Sequence, residues 1–244
     1  MVRLYLDIET YRSGGSFVNE KIIAIGVIED ISEYSYKSIG ENCDFKDGSE
    51  YSYGSVSKSC DFKHFYEWDF GSEEKVVKEF YEYLKNLLKE VSPEKVRFLQ
   101  VVGFNILRFD VPLLIQKGVD YRVGDLPELN ELWNNVFIVD LFQLTLLFNS
   151  MRFKGNTLEN LAKRLGKKGF DVPKPAGRGK DVSEWYDAKE YKKIEKHLEQ
   201  DLKITRYIDL AMMSKLHENK ELGNKLFDII SGDLRTTNTK PSQP

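Results

Sequence analysis

The sequence predicts an α/β fold, a mixed β-sheet flanked by α-helices, and three observations carry that reading. Two apolar runs near the N-terminus are close enough to pair as a hairpin, strand and helix patterns alternate after them, and a long apolar stripe at helical spacing runs from Val76 to Val91. With 244 residues, 41% of them apolar, the chain can bury a core of its own. A single domain over residues 1–230 is expected, with a disordered tail over 231–244.

The elements follow in order. Val2-Arg3-Leu4-Tyr5-Leu6 has the β-branched, aromatic and aliphatic character of a central strand, and Lys21 to Ile28 reads as a second, buried strand across a glycine-rich turn. Residues 31–70, rich in Ser, Tyr, Gly, Asp and Lys, read as a long excursion with an edge strand. Ser72 caps the next helix, with Glu73 and Glu74 in its first turn and Val76, Val77, Phe80, Tyr81, Leu84, Leu87, Leu88 and Val91 on one face. Then come a strand over 96–104, a helix over 111–118, a strand over 136–139 and a helix over 141–148. Thr157 caps a short helix that stops at Gly166. The last long helix is expected to start near Asp187 and to bury Tyr191, Ile194, Leu198, Leu202, Thr205 and Ile208.

Composition narrows the functions. A formal charge of −3 gives no global field that gathers nucleic acid, so such a partner must be held by a local basic patch or through bound cations. Two cysteines without metal-type spacing, and three histidines at 64, 197 and 217, argue against a zinc site. His64 and His217 have no acidic constellation at useful spacing. The N-terminus lacks the pattern of a signal peptide and no run reaches the roughly 18 apolar residues that cross a bilayer. A soluble cytoplasmic protein with reduced thiols and no membrane partner is expected.

The chemistry resides in carboxylates at the ends of apolar elements. Side chains alternate along a strand, so Asp7 and Glu9 share one face, and two acids on a central strand call for a positive partner. Asp110 stands where a buried strand gives way to a helix; an N-cap explains it as readily as a ligand role. Asp201 borders the apolar stripe of the last helix, beside Leu198 and Thr205. Asp140, at a strand end before an apolar helix, reads as a cap and is left out of the metal set.

In their order and flanks these segments resemble the DEDD superfamily of 3′–5′ exonucleases. Leu6-Asp7-Ile8-Glu9-Thr10 looks like the first exonuclease motif, Asn105 through Asp110 with Pro112 like the second, and His197 through Thr205 like the third. The nearest likeness is to the proofreading domain of family B DNA polymerases. It includes Asp140-Leu141 and the helix from Thr157 to Gly166, and it runs from about residue 1 to 212 with no polymerase domain, so a stand-alone enzyme is expected. The resemblance implies a ribonuclease H-like fold, with two divalent ions, Mg²⁺ or Mn²⁺, held by Asp7, Glu9, Asp110 and Asp201. It also implies hydrolysis that releases nucleoside monophosphates from 3′ ends, preferably of single-stranded DNA. Two such cations activate the attacking water and stabilise the attacking and leaving oxygens. His197 departs from the pattern: the tyrosine branch of the family has a Tyr four residues before the last Asp, and the histidine branch has its His five before. A histidine at the tyrosine spacing could act as general base or could mark a degraded site.

For the substrate, the resemblance gives Asn105 a strand contact, its alternative being a buried amide. From Lys163 to Lys180 seven basic residues face the single acid Asp171; Lys167, Lys168 and Arg178 are the candidate phosphate contacts, a solvated loop being the alternative. Phe109 or Phe17 could stack on a terminal base, though core packing suits Phe109. No residue reads the 2′-hydroxyl, so an exoribonuclease or oligonucleotide hydrolase stays open. The rival from another class is a catalytically impaired nucleic-acid-binding module.

Overall fold

A computed structural model of the chain describes residues 2–12, 20–30, 60–90, 99–167 and 171–218. The expected excursion before residue 60, Phe17, Val91, Lys168 and the 231–244 tail lie outside the described residues.

Five strands form one mixed sheet in the order β3-β2-β1-β4-β5. Strand β1 (Val2–Tyr11) is central and pairs antiparallel with β2 (Lys21–Asp30), which pairs antiparallel with the edge strand β3 (Cys60–Tyr66). A helical turn, α1 (Glu67–Phe70), leads to α2 (Glu73–Glu90). Strands β4 (Leu99–Gly103) and β5 (Phe137–Asp140) extend the sheet on the other side of β1, both parallel to their neighbours. Between them lie α3 (Asp110–Asp120) and α4 (Leu126–Asn134); after β5 come α5 (Leu141–Phe148), α6 (Leu158–Gly166), α7 (Val182–Asp187) and α8 (Tyr191–Glu218). The hairpin, the edge strand and most helices lie where the sequence places them. Two corrections follow. Helix α4, nucleated by a capping box between Asp125 and Glu128, was not anticipated, and α8 starts at Tyr191 because Val182–Asp187 folds as a separate short helix.

The alternation of β1 divides the core. Leu4, Leu6 and Ile8 enter one cluster with Val76, Val77, Phe80 and Leu84 of α2 and Leu113 and Leu114 of α3. Tyr5 enters the other, with Ala24, Ile28, Leu198, Leu202 and Ile208. Asp7 and Glu9 share this second face by the period of the strand. A register shift between Glu9 and Thr10 puts Ile23 and Ala24 of β2 on the same side, and Ile23 packs there on Val182 and Ile194.

Helix α8 lies close against that face because Gly26, the cross-strand partner of Asp7, has no side chain. A Cβ at Gly26 would stand 2.7 Å from Leu202 Cδ1 and 2.9 Å from Leu198 Cγ. Buried polar contacts set the helix register. Tyr5 donates to Asp209 at 2.9 Å, Arg3 pairs with the same carboxylate, and Arg206 donates to Asp30 at 2.9 and 3.1 Å. Such pairs add little net stability but make every other alignment costly, since a shifted helix strands buried charges. Among the described residues no helix is long and apolar enough to cross a membrane.

Gly26→Ala is expected to overpack this contact and to cost about 1–3 kcal/mol, read from urea unfolding. An unchanged midpoint would show that α8 has slack over β2.

Candidate functional site

The C-terminal halves of β1, β4 and β5 and the first third of α8 converge on one acidic cleft. Asp7 and Glu9 come from β1; Glu9 is buried and Asp7 half-buried. Asp110 opens α3 and is buried, and its side chain caps nothing, so the N-cap alternative for it fails: the cap residue is Phe109 and no side-chain cap bond forms. Asp201 lies on α8 one turn after His197. Burial raises the Asp7 carboxyl well above its ordinary range, and the charges of Glu9, Asp110 and Asp201 push it further. Burial, then Asp201 and Asp110, do the same to Glu9. All four carboxylates expected from sequence therefore share one electrostatic field.

Burial pushes Asp110 up to about 7, with Asp140 adding to the rise while the N–H groups of Asp110 and Ile8 oppose it. Asp201 also reaches about 7, from burial and then from the charge of Glu159 on α6.

The Asn105 turn is built by residues that the sequence reading placed outside the metal set. Asp140 does cap α5, accepting from Phe142 N–H at 2.9 Å, but its carboxylate also accepts from Asn105 N–H at 2.9 Å and Leu107 N–H at 3.3 Å. It thereby ties the strand ends of β4 and β5 together. Asn105 adopts a left-handed backbone, φ 66°, which asparagine tolerates better than most residues. Its Oδ1 is buried without a hydrogen-bond partner. Gly103 lies beneath the turn, where a Cβ would meet Ile106 Cβ at 2.9 Å and Leu6 O at 3.0 Å.

His197 is buried, its Nε2 lying 3.6 Å from Glu9 Oε1 and 3.7 Å from Asp201 Oδ2. The ring therefore points into the cleft. Burial lowers its pKa, against opposing pulls from Glu159, the Ala176 main chain and Asp181. Trp185 meets it edge to face at 5.8 Å, and Gly177, at φ 98°, approaches that indole so closely that a Cβ would lie 2.2 Å from it. Glu159, Trp185, Gly177 and Gly26 are contributors that sequence reading missed; only the glycines carried a signal, one inside a strand and one inside a loop.

Of the expected substrate contacts, Phe109 is half-buried against the α2–α3 core, its packing alternative. Arg178 is exposed and donates to Asp181 at 3.0 and 3.1 Å, while Lys167 is exposed at the end of α6.

Among the described residues no group of three or more His, Cys, Asp or Glu side chains is arranged to hold a metal ion. The donor set itself suits a hard divalent cation: all four candidate ligands are carboxylates, and Asp201 Oδ1 is buried with no hydrogen-bond partner.

These elements define a five-stranded α/β protein of the ribonuclease H-like type with an acidic cleft beside its central strand. Among solved structures the chain is similar to the family B DNA polymerase from the hyperthermophilic archaeon Pyrobaculum calidifontis. The TM-score is 0.53 and the identity 17%, over 87% of this chain and 24% of that one, a likeness of fold. It is also similar to E. coli exonuclease I in complex with a dT13 oligonucleotide, with TM-score 0.48 and 14% identity over 93% of this chain and 43% of that one. The chain thus spans about a quarter of the polymerase and less than half of the exonuclease. No protein-family model matches the sequence, and no curated protein matches it.

The two carboxyls at about 7 predict a pH signature. In the folded chain without cations Asp110 and Asp201 keep their protons well above their ordinary value of 3.8, so the unfolded state binds fewer protons between roughly pH 4 and 7. Their contribution to stability therefore falls as pH rises through that window. In EDTA, wild type is expected to lose melting temperature between pH 5 and 7.5 relative to the Asp110→Asn, Asp201→Asn double variant. Mg²⁺ or Mn²⁺ at pH 7.5 is expected to restore wild type and leave the variant unmoved; wild type indifferent to both ions would end the case for a cation site.

Proposed function

We propose that this chain is a metal-dependent 3′–5′ exonuclease that hydrolyses the terminal phosphodiester of single-stranded DNA and releases nucleoside monophosphates. The observation that carries the reading is the convergence of Asp7, Glu9, Asp110 and Asp201, from β1, α3 and α8, on one field, in which the charges of the other three raise Asp7 and those of Asp201 and Asp110 raise Glu9. Isolated acids gain nothing from being buried together, whereas two divalent cations need such a set. The ribonuclease H-like fold and the order of the three motifs support it.

In this mechanism Asp7, Glu9, Asp110 and Asp201 hold two divalent ions, which when bound supply an activated water and stabilise charge on the attacking and leaving oxygens. Asp140 holds the Asn105 turn through two main-chain N–H groups, so that Asn105 and the half-exposed ring of Phe109 meet the terminal nucleotide. The unpartnered Asn105 Oδ1 is an acceptor available to that nucleotide. His197, directed between Glu9 and Asp201, accepts at Nε2 the proton released as water attacks. Lys167, Lys168 and Arg178 contact phosphates of the strand beyond the cleft. Arg178 must exchange its pairing with Asp181 to do so, and an exposed ion pair is weak enough to allow it. The same site would also serve RNA or short oligonucleotides, since metal-assisted hydrolysis of the phosphodiester does not itself depend on the 2′ position.

The test is digestion of 5′-labelled single-stranded DNA and RNA with Mg²⁺, Mn²⁺ or EDTA. A metal-dependent ladder shortening from the 3′ end is expected for wild type and none for Asp7→Ala, with His197→Ala slowed by about 100-fold or more. Binding without a ladder would favour the impaired binding module, and His197→Ala within a few-fold of wild type would remove it as the base.

A further inference from the structure

The loop between α5 and α6 carries an apolar, basic patch that nothing in the cleft uses. Met151 and Phe153 are 62% and 59% exposed, and Leu107, on the Asn105 turn, is 39% exposed. They are not scattered. Arg108, two residues before Asp110, lies over the rings of Phe142 and Phe153 at 5.8 and 5.3 Å, and those two rings meet at 5.7 Å. Loop and catalytic turn thus share one continuous surface.

That surface is held in place at a cost. Ser150 and Met151 are consecutive residues in the left-handed region, at φ 54° and 58°, where side chains other than glycine, asparagine and aspartate rarely settle. The neighbours fix this shape. Asn149 Nδ2 donates to the carbonyls of Arg152 and Lys154, and Arg164 of α6 donates to Asn149 Oδ1 at 3.3 Å and Gly155 O at 3.1 Å. Asn156 Nδ2 ties the return to Phe142 O at 3.2 Å. A braced loop that presents a methionine and a phenylalanine to solvent is built to meet something.

Charge identifies the partner. Residues 149–167 contain Arg152, Lys154, Lys163, Arg164 and Lys167 against the single acid Glu159, in a chain whose formal charge is −3. Exposed rings interleaved with cations suit single-stranded nucleic acid, whose bases stack on the apolar side chains while its phosphates meet the basic ones. We infer that Met151 and Phe153 form a stacking platform for bases of the strand upstream of the 3′ terminus, with Arg152 and Lys154 on its phosphates. Leu107 and Arg108 continue the platform to the Asn105 turn. The inference rests on the exonuclease reading and extends it, giving the cleft a second, base-contacting but sequence-tolerant anchor.

The experiment is fluorescence anisotropy of labelled oligo(dT), and of an abasic strand of equal length, titrated with the full chain in EDTA. Each variant is first checked for an unchanged melting temperature; Phe153 is exposed, so truncating it leaves the core intact. Phe153→Ala is expected to weaken oligo(dT) binding by about 5- to 100-fold. The salt dependence should keep its slope, the abasic strand should bind as before, and Phe153→Trp should bind as well as wild type. Arg152→Glu with Lys154→Glu should instead flatten the salt slope and weaken both strands. If wild type binds and digests DNA while Phe153→Ala and Met151→Ala bind oligo(dT) within twofold of it, the platform is refuted and the exonuclease reading stands. If wild type neither binds nor digests any strand, both fail together.

Discussion

The close approach of α8 to β1 and β2 is the constraint on which the rest of this molecule depends. Two of the five cleft residues, His197 and Asp201, ride on α8, and the other three stand on β1 and at the start of α3. The groups meet only because Leu198 and Leu202 settle onto Gly26, directly across from Asp7. Leu198 and Leu202 flank Asp201 in sequence, so the helical face that makes the apolar contact also delivers the carboxylate to its place. Arg3, Tyr5, Asp30, Arg206 and Asp209 then fix the helix along its axis. Hydrophobic packing sets the depth of the helix, and buried polar pairs set its register.

That seating creates an electrostatic debt. Four carboxyls and a buried imidazole are drawn out of water at one place; Glu9, Asp110 and Asp201 raise the Asp7 carboxyl, and Asp201 and Asp110 raise Glu9. The fold compensates outside the cleft, in apolar clusters on both faces of the sheet and in the network where Glu73 takes Lys117, Tyr121 and the Ile22 N–H into one satisfied group. The contrast between these two buried acidic sites is informative. Glu73 has every oxygen partnered within its own elements, as a structural acid should. Asp201 leaves Oδ1 without a partner, as expected of an acid whose partner is a ligand.

What the sequence revealed, and what it hid, divides along physical lines. Alternation put Asp7 and Glu9 on one face of β1, and helical period put Asp201 at the border of the stripe that contains Leu198 and Leu202; both rules are local and both held. The hairpin, the edge strand and α2 were legible for the same reason. Helix α4 was not anticipated, and its clearest local signal is the capping box of Asp125 and Glu128, a feature of four residues. The last helix, expected from near Asp187, starts at Tyr191, and the short helix over Val182–Asp187 before it was not anticipated. The second role of Asp140 could not be read at all. A residue that caps its own helix gives no sequence sign that it also accepts from Asn105 and Leu107, 35 and 33 positions earlier.

Asp140 also links parts of the site that otherwise look separate. Its carboxylate touches the Asn105 turn on one side and the first turn of α5 on the other, and α5 leads directly into the braced loop of Met151 and Phe153. Phe142, whose N–H it accepts, is packed between Phe104 of the turn and Phe153 of the loop. Phe153 therefore packs on a ring whose backbone is held by the same carboxylate that shapes the turn preceding Asp110. One short strand end, β5, supplies the common support for the Asn105 turn, which precedes Asp110, and for the loop of Met151 and Phe153.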